Sequence, residues 1–284
     1  MHYVKEHTGI PVPDILVYDP DWDRKVGGEW MLIDGVSPSA LTDDQWEALC
    51  TSVADIWSQL LRLRFKFIGS IYEQQDGFES RYFIGPMTYI PPSGCLASPE
   101  ASTSGPFSST RKWLVAAAKG KLNPTRRIQP DFDYEKAHKW QEIAIDVVQK
   151  SPLLDSDTLD HEQIVLAHMD YSLHNVLVDP EDLTRIVAVV DWEGARTVPM
   201  WAANPVFRWP LLLPDSKVTQ LRQLMRDRIS RQIPGWESAT GDGGNDLRFS
   251  ERQAYLSSVD PSVYDNGQPV VHHMSWLNQR SMVF

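Results

Sequence analysis

The chain has 284 residues, 42% hydrophobic and 23% charged, which is ordinary globular usage and enough length for a core without disulfides or structural metals. Thirty-eight acids against 27 bases leave a formal charge of −11, which argues against a general phosphate-backbone binder, so no nucleic-acid partner is expected. No apolar run approaches the ~20 residues of a membrane helix, the first residues lack a signal-peptide core, and Cys50 and Cys95 cannot build a metal cluster alone, so the expectation is a soluble, cytoplasmic protein without a membrane partner.

Residues 2–7 read as the end of a helix that Gly9 breaks. Ile15 to Tyr18 and Trp30 to Ile33 read as two short strands, separated by turn signals at Asp19-Pro20-Asp21 and Gly27-Gly28. Thr42 offers an N-cap with acids in the first turn, and Trp46, Leu49, Val53, Trp57, Leu60 and Leu61 follow at helical spacing. Residues 65–132 read as loop-rich, with one helix near 110–119, and a second amphipathic helix is expected over about 133–150. The Trp residues on these helices read as core. Ile164 to Ala167 is a short apolar strand, Asn175 to Val178 a second, and Ile186 to Val190 its returning partner across the Asp179-Pro180-Glu181-Asp182 turn. Asp215 to Gln232 is predicted helical, and residues beyond about 238 carry no strong period.

The densest pattern surrounds that hairpin. Asp170 and Asn175 flank a tight loop, and Asp191 ends the returning strand, so antiparallel pairing brings Asn175 and Asp191 to the same end. Their oxygens suit a hard cation such as Mg²⁺, which takes few protein ligands and leaves positions for phosphate oxygens. Asp170 then remains to accept a proton from an attacking hydroxyl. Any one of these side chains could equally cap a turn; the joint spacing is what points to chemistry. A different chemistry, a non-haem iron triad of His168, Asp170 and His272 or His273, would need a strand-rich jelly roll where 201–232 reads as breakers and helix.

His168-x-Asp170-x-x-x-x-Asn175 followed by Asp191-Trp192-Glu193 resembles the catalytic Asp, the Asn five residues on, and the metal-binding Asp of protein kinases. The Asp-Trp-Glu spelling is similar to the aminoglycoside phosphotransferase-like family, especially its fungal members. Thr8-x-Ile10-Pro11-Val12-Pro13, Met31-Leu32-Ile33-Asp34-Gly35, Ile68-Gly69-Ser70-Ile71-Tyr72 and Gly105-Pro106-Phe107 fit the same family, which covers roughly residues 1–215. The resemblance implies Asp170 as catalytic base, Asn175 and Asp191 as Mg²⁺ ligands, and His168 as a brace for the loop. It implies a hinge at Ile33, Asp34 and Gly35 whose backbone meets adenine, and an acceptor-side role for Glu193.

The fold so implied is α+β and protein-kinase-like. It has a sheet remnant of the N-terminal lobe plus hinge in 1–37, a mainly helical C-terminal lobe with the catalytic hairpin in 38–237, and a divergent tail in 238–284. The function so implied is transfer of the γ-phosphate of ATP to a hydroxyl of a small molecule. The family's phosphate-covering loop, clamp Lys and paired Glu find no counterpart in these residues, so the 284-residue chain is expected to begin after them and to transfer phosphate poorly. The alternative is a non-catalytic binding or scaffold module that keeps the acceptor groove.

Overall fold

The computed structural model describes residues 1–13, 41–76, 79–87, 105–119, 163–168, 170, 171, 173–192, 194–203, 213–240, 264–265 and 268–269, together with helical residues between 135 and 150. Short helix α1 (His2–His7) is followed by α2 (Asp43–Arg62), the hairpin β1 (Ser70–Asp76) and β2 (Glu79–Gly85), and α3 (Thr110–Lys119). Strands β3 (Ile164–Ala167), β4 (Val176–Val178), β5 (Ile186–Val189) and β6 (Arg196–Pro199) come next, then α4 (Asp215–Gln232) and α5 (Trp236–Thr240). A minimal pair, β7 (Tyr264–Asp265) with β8 (Gln268–Pro269), ends the described chain. The architecture is α+β, built among the described residues from small two-stranded antiparallel sheets packed around α2. No described helix is long and apolar enough to cross a membrane.

Helix α2 starts where the sequence says it should. The Thr42 hydroxyl accepts from the Gln45 amide while the Gln45 side chain accepts from the Thr42 amide, a reciprocal cap that satisfies two otherwise orphaned donors. Its apolar stripe, with Val53, Trp57, Leu60 and Leu61 all buried, faces β3 and α4. Trp57 is fully buried and donates from Nε1 to the Ala203 carbonyl at 3.3 Å. Cys50 on the same stripe donates to the Leu221 carbonyl at 3.2 Å, and burial pushes its thiol up to about 12, so it stays a protonated core residue.

The outer edge of the α2–α4 contact is polar. Arg228 grips both carboxylate oxygens of Asp55, through Nε at 2.7 Å and Nη2 at 2.9 Å, and Gln232 donates to the same carboxylate. The Arg228 hydrogen bond holds the Asp55 carboxyl below its usual range. A depressed carboxylate contributes stability above its unfolded value and loses it as pH falls through the folded one. Asp55→Asn is therefore expected to cost under about 1 kcal/mol at neutral pH, because the pair is half-exposed; the gap should begin to close as pH falls below the ordinary carboxylate value of about 4 and vanish only below the lower folded one. Urea denaturation of both proteins at neutral pH and through the acid range checks this; a gap that stays constant as pH falls would contradict it.

The β1–β2 hairpin, β6 and α5, which runs as a helix through the boundary expected at 237/238, depart from the sequence reading. Residues 65–132 were expected to be loop-rich, yet 70–85 form the seven-pair β1–β2 hairpin, with Ser70 opposite Gly85 and Asp76 opposite Glu79. The Asp76-Gly77 dipeptide is a hairpin-turn cue, but the runs on either side, Ser70–Asp76 and Glu79–Gly85, do not alternate apolar with polar residues, so the strands carry no period-2 signal. Strand β6 was not anticipated either; it pairs antiparallel with β3, Ala167 opposite Arg196 and Val165 opposite Val198. Gly69 pins the hairpin to β6, exchanging main-chain hydrogen bonds with Thr197 at 2.8 and 3.2 Å. A Cβ there would lie 2.2 Å from the Gly85 carbonyl oxygen, so only glycine permits this approach. The predicted strands at 15–18 and 30–33, and the hinge at Ile33, Asp34 and Gly35, lie outside the described residues. The described residues between 135 and 150 are helical as expected, and α4 covers the predicted span.

Candidate functional site

Strands β4 and β5 pair with Val176 opposite Val189 and Leu177 opposite Ala188. Two oxygen acceptors of the Asp179-to-Asp182 turn, Asp179 Oδ1 and Asp182 Oδ1, receive the amides of Glu181 and Thr184 at 2.7 and 3.1 Å, and Arg185 pairs with Asp179. The turn end of the hairpin is thus closed by its own side chains. At the opposite end the ladder runs on, since the Val190 amide donates to the Asn175 carbonyl at 2.9 Å. Asn175 therefore stands in a 3₁₀ turn, Leu173–Asn175, rather than in the predicted strand, and it faces the exit of β5.

The Asn175 side chain joins the two loops. Its Nδ2 donates to the main-chain carbonyl of Asp170 at 2.8 Å and to Asp191 Oδ2 at 3.3 Å. With both hydrogens committed, the amide oxygen is left as an acceptor beside the Asp191 carboxylate. Asn175 is buried, Asp191 half-buried and Asp170 exposed. Asp191 has φ of 62°, the left-handed region, where Asp and Asn are better tolerated than other side chains because their short polar groups bond locally. Residues Asp170, Asn175 and Asp191 are thus brought together as the sequence spacing proposes.

His168 braces the same junction. Its buried ring presents Nε2 to the Val190 carbonyl at 2.9 Å, one residue before Asp191, and packs against Trp192 with ring centroids 4.7 Å apart. Burial pushes its pKa down, which keeps the imidazole neutral, and as the neutral donor it can hold Val190 but has no free proton for chemistry. Trp192 in turn donates to the Val189 carbonyl at 2.8 Å. Tyr171, fully buried beside Asp170 in sequence, donates to the Val53 carbonyl at 3.2 Å and lies against Trp57 at 5.1 Å, so α2 supports the loop from beneath.

Sequence reasoning did not find the supporting set: Trp192 against His168, Tyr171 against Trp57, and the pairing of the Val189 amide with the Pro11 carbonyl at 2.8 Å. The first two are tertiary contacts between residues 24 and 114 positions apart, which no local period encodes. Glu193 and the hinge residues lie outside the described residues. Among the described residues no group of three His, Cys, Asp or Glu side chains could enclose a metal ion.

The subtelomeric hrmA-associated cluster proteins of two Aspergillus fumigatus strains are each 22% identical over 263 residues, covering 73% of this chain and 51% of theirs. The chain spans about half the length of these curated relatives. A solved thermostable mutant of aminoglycoside phosphotransferase APH(4)-Ia, in ternary complex with AMP-PNP and hygromycin B, aligns over 90% of this chain and 80% of that one at 16% identity and a TM-score of 0.39. The profile of the phosphotransferase enzyme family matches residues 1–202, which take in α1 through the loop after β6 and every residue of the junction just described. The chain belongs to the phosphotransferase enzyme family.

Proposed function

We propose that the Asp170–Asn175–Asp191 junction is a phosphotransfer site that moves the γ-phosphate of ATP to a hydroxyl of a small molecule. The observation that supports it most directly is the Asn175 amide, which bonds the catalytic-loop main chain and the Asp191 carboxylate at once. Family membership supplies the reaction class. The donor set fits Mg²⁺: two hard oxygens, too few to enclose an ion, suit a metal that keeps water and phosphate oxygens in its remaining positions.

Asn175 and Asp191 would hold Mg²⁺, which when bound neutralises charge on the phosphate oxygens. Asp170 is exposed at the loop; Asn175 takes its main-chain carbonyl, and its carboxylate has no hydrogen-bond or ion-pair partner among the described residues. It accepts the proton of the acceptor hydroxyl as that oxygen bonds to the γ-phosphorus and the bond to the β-phosphate oxygen breaks, releasing ADP. His168 fixes the loop against Val190 and takes no proton. The acidic chain, at −11, favours cationic acceptors such as amino sugars or choline-like alcohols at long range.

The test is ligand-induced stabilisation. Mg²⁺ and ATP together are expected to raise Tm more than either alone, because each supplies ligands to the other at the Asp191 carboxylate. Asp191→Asn keeps the left-handed backbone accessible and removes the charge, so it is expected to lose that synergy while its own Tm changes little. Equal synergy in both proteins would remove Asp191 from the metal site.

A further inference from the structure

A cavity of about 110 Å³ lies between α1, one face of the β1–β2 hairpin and the loop that follows Asp191. Val4, Leu166 and Trp192, all buried, close its inner end, and the exposed His2 and Glu73 stand where it meets solvent. Three aromatic residues line it: Tyr3 from α1, Tyr82 from β2, and Trp192. The Tyr3 and Tyr82 rings meet edge to face with centroids 5.1 Å apart, so two of the walls brace each other. Glu73 and Tyr82 are direct cross-strand partners, which puts a ring and a negative charge on the same face of the hairpin. Among the described residues Glu73 is the one carboxylate in this lining.

The lining selects the chemistry of an occupant. A cavity of about 150 Å³ takes benzene, so this one takes a group slightly smaller. Aromatic rings with a carboxylate beside them attract a cation. Both oxygens of Glu73 already hold hydrogen bonds, Oε2 with the His2 ring at 2.8 Å and Oε1 with the Ser80 hydroxyl at 2.6 Å. Its charge is thus on offer while its acceptor positions are engaged, which favours a cation with no N–H to satisfy. Burial pushes the pKa of the Met1 amine in the same wall down, against the pull of Glu73, as a compact ammonium stripped of water does. A quaternary ammonium spreads its charge over methyl groups and gives up less hydration on entry.

We propose that this cavity is a binding site for a methylated ammonium group, and that its occupant is felt at the Asp191 loop through Trp192. The Trp192 indole packs against His168 with ring centroids 4.7 Å apart, and the Ala195 amide, also of the lining, donates to the Trp192 carbonyl at 3.1 Å. None of Asp170, Asn175 and Asp191 lines the cavity, so the site stands apart from the phosphotransfer reading.

Binding of tetramethylammonium chloride is measured by calorimetry at pH 8, above the ordinary histidine range, with tert-butanol as an uncharged probe of similar size. The quaternary ion is expected to bind about tenfold tighter than the alcohol or better; equal affinities would overturn the cation assignment. Glu73→Gln and Tyr82→Leu are each expected to weaken the ion about tenfold. Because Glu73 is exposed on its strand, Glu73→Gln carries the test should Tyr82→Leu fail to fold, and wild-type affinity in Glu73→Gln would overturn the site. Amide exchange reads the link to the loop. Tetramethylammonium at ten times its Kd is expected to slow exchange of the Ala195 amide about tenfold, since opening there must first release the ion. Exchange at Ala195 that is unchanged while the ion is bound would overturn the link to the Asp191 loop.

Discussion

Replacing Asp170 by Asn is expected to lower kcat by about 10²–10⁴-fold while leaving nucleotide affinity unchanged. The asymmetry follows from the contacts. Asn175 bonds the main-chain carbonyl of Asp170, not its carboxylate, so the substitution leaves the junction with Asp191 intact. The carboxylate is exposed, and removing its charge creates no buried vacancy; the change in stability should stay within about 0.5 kcal/mol. On the proposed reading, what the substitution removes is the group that takes the hydroxyl proton during attack. The measurement is ATP consumption by the protein isolated from its source, against aminoglycosides, choline and hydroxylated amino compounds, alongside nucleotide binding by calorimetry. Turnover that survives the substitution unchanged would remove Asp170 from the role of base, and a parallel fall in nucleotide affinity would relocate it to the phosphate side.

The second large effect is on stability. Trp57→Ala should cost about 3–5 kcal/mol, the range for deleting a buried Trp, since the indole is enclosed by the core and neighbouring segments cannot collapse into its volume. Trp57→Phe keeps part of the packing and loses the Nε1 bond to Ala203, for about 1 kcal/mol from the hydrogen bond plus the difference in volume. Because Trp57 lies against Tyr171, the Phe variant should also loosen the loop that carries Asp170. Denaturant midpoints rank the three proteins; an alanine variant within about 1 kcal/mol of wild type would contradict the packing described here.

How much of this is legible in the sequence depends on the range of the interaction. Helix α2 could be read to its first residue because the cap, the acids after it and the apolar spacing are all local. The hairpin β4–β5 and the convergence of Asn175 on Asp191 could be read because antiparallel pairing across a short turn leaves little choice of register. Strand β6 was hidden by its length of four residues and by a partner, β3, some thirty positions upstream. The left-handed turn at Asp191 was equally hidden, since an Asp at a strand end is compatible with several backbone conformations. The supporting aromatics declare their burial in the pattern, yet which ring meets which is fixed only by the tertiary fold.

Val189 donates its amide to Pro11, and Pro11 and Pro13 flank Val12 without an N–H of their own. The N-terminal segment can therefore accept from the edge of β5 but cannot propagate a ladder along it, which blunts that edge against pairing with another chain. A single slow-exchanging amide then becomes a gauge of whether this segment is seated. Deuterium uptake at Val189 should be limited by undocking of residues 9–13, whereas uptake at Val190, held by Asn175, should follow opening of the hairpin itself. Two adjacent positions in one peptide would thus time two separate motions around the Asp191 loop.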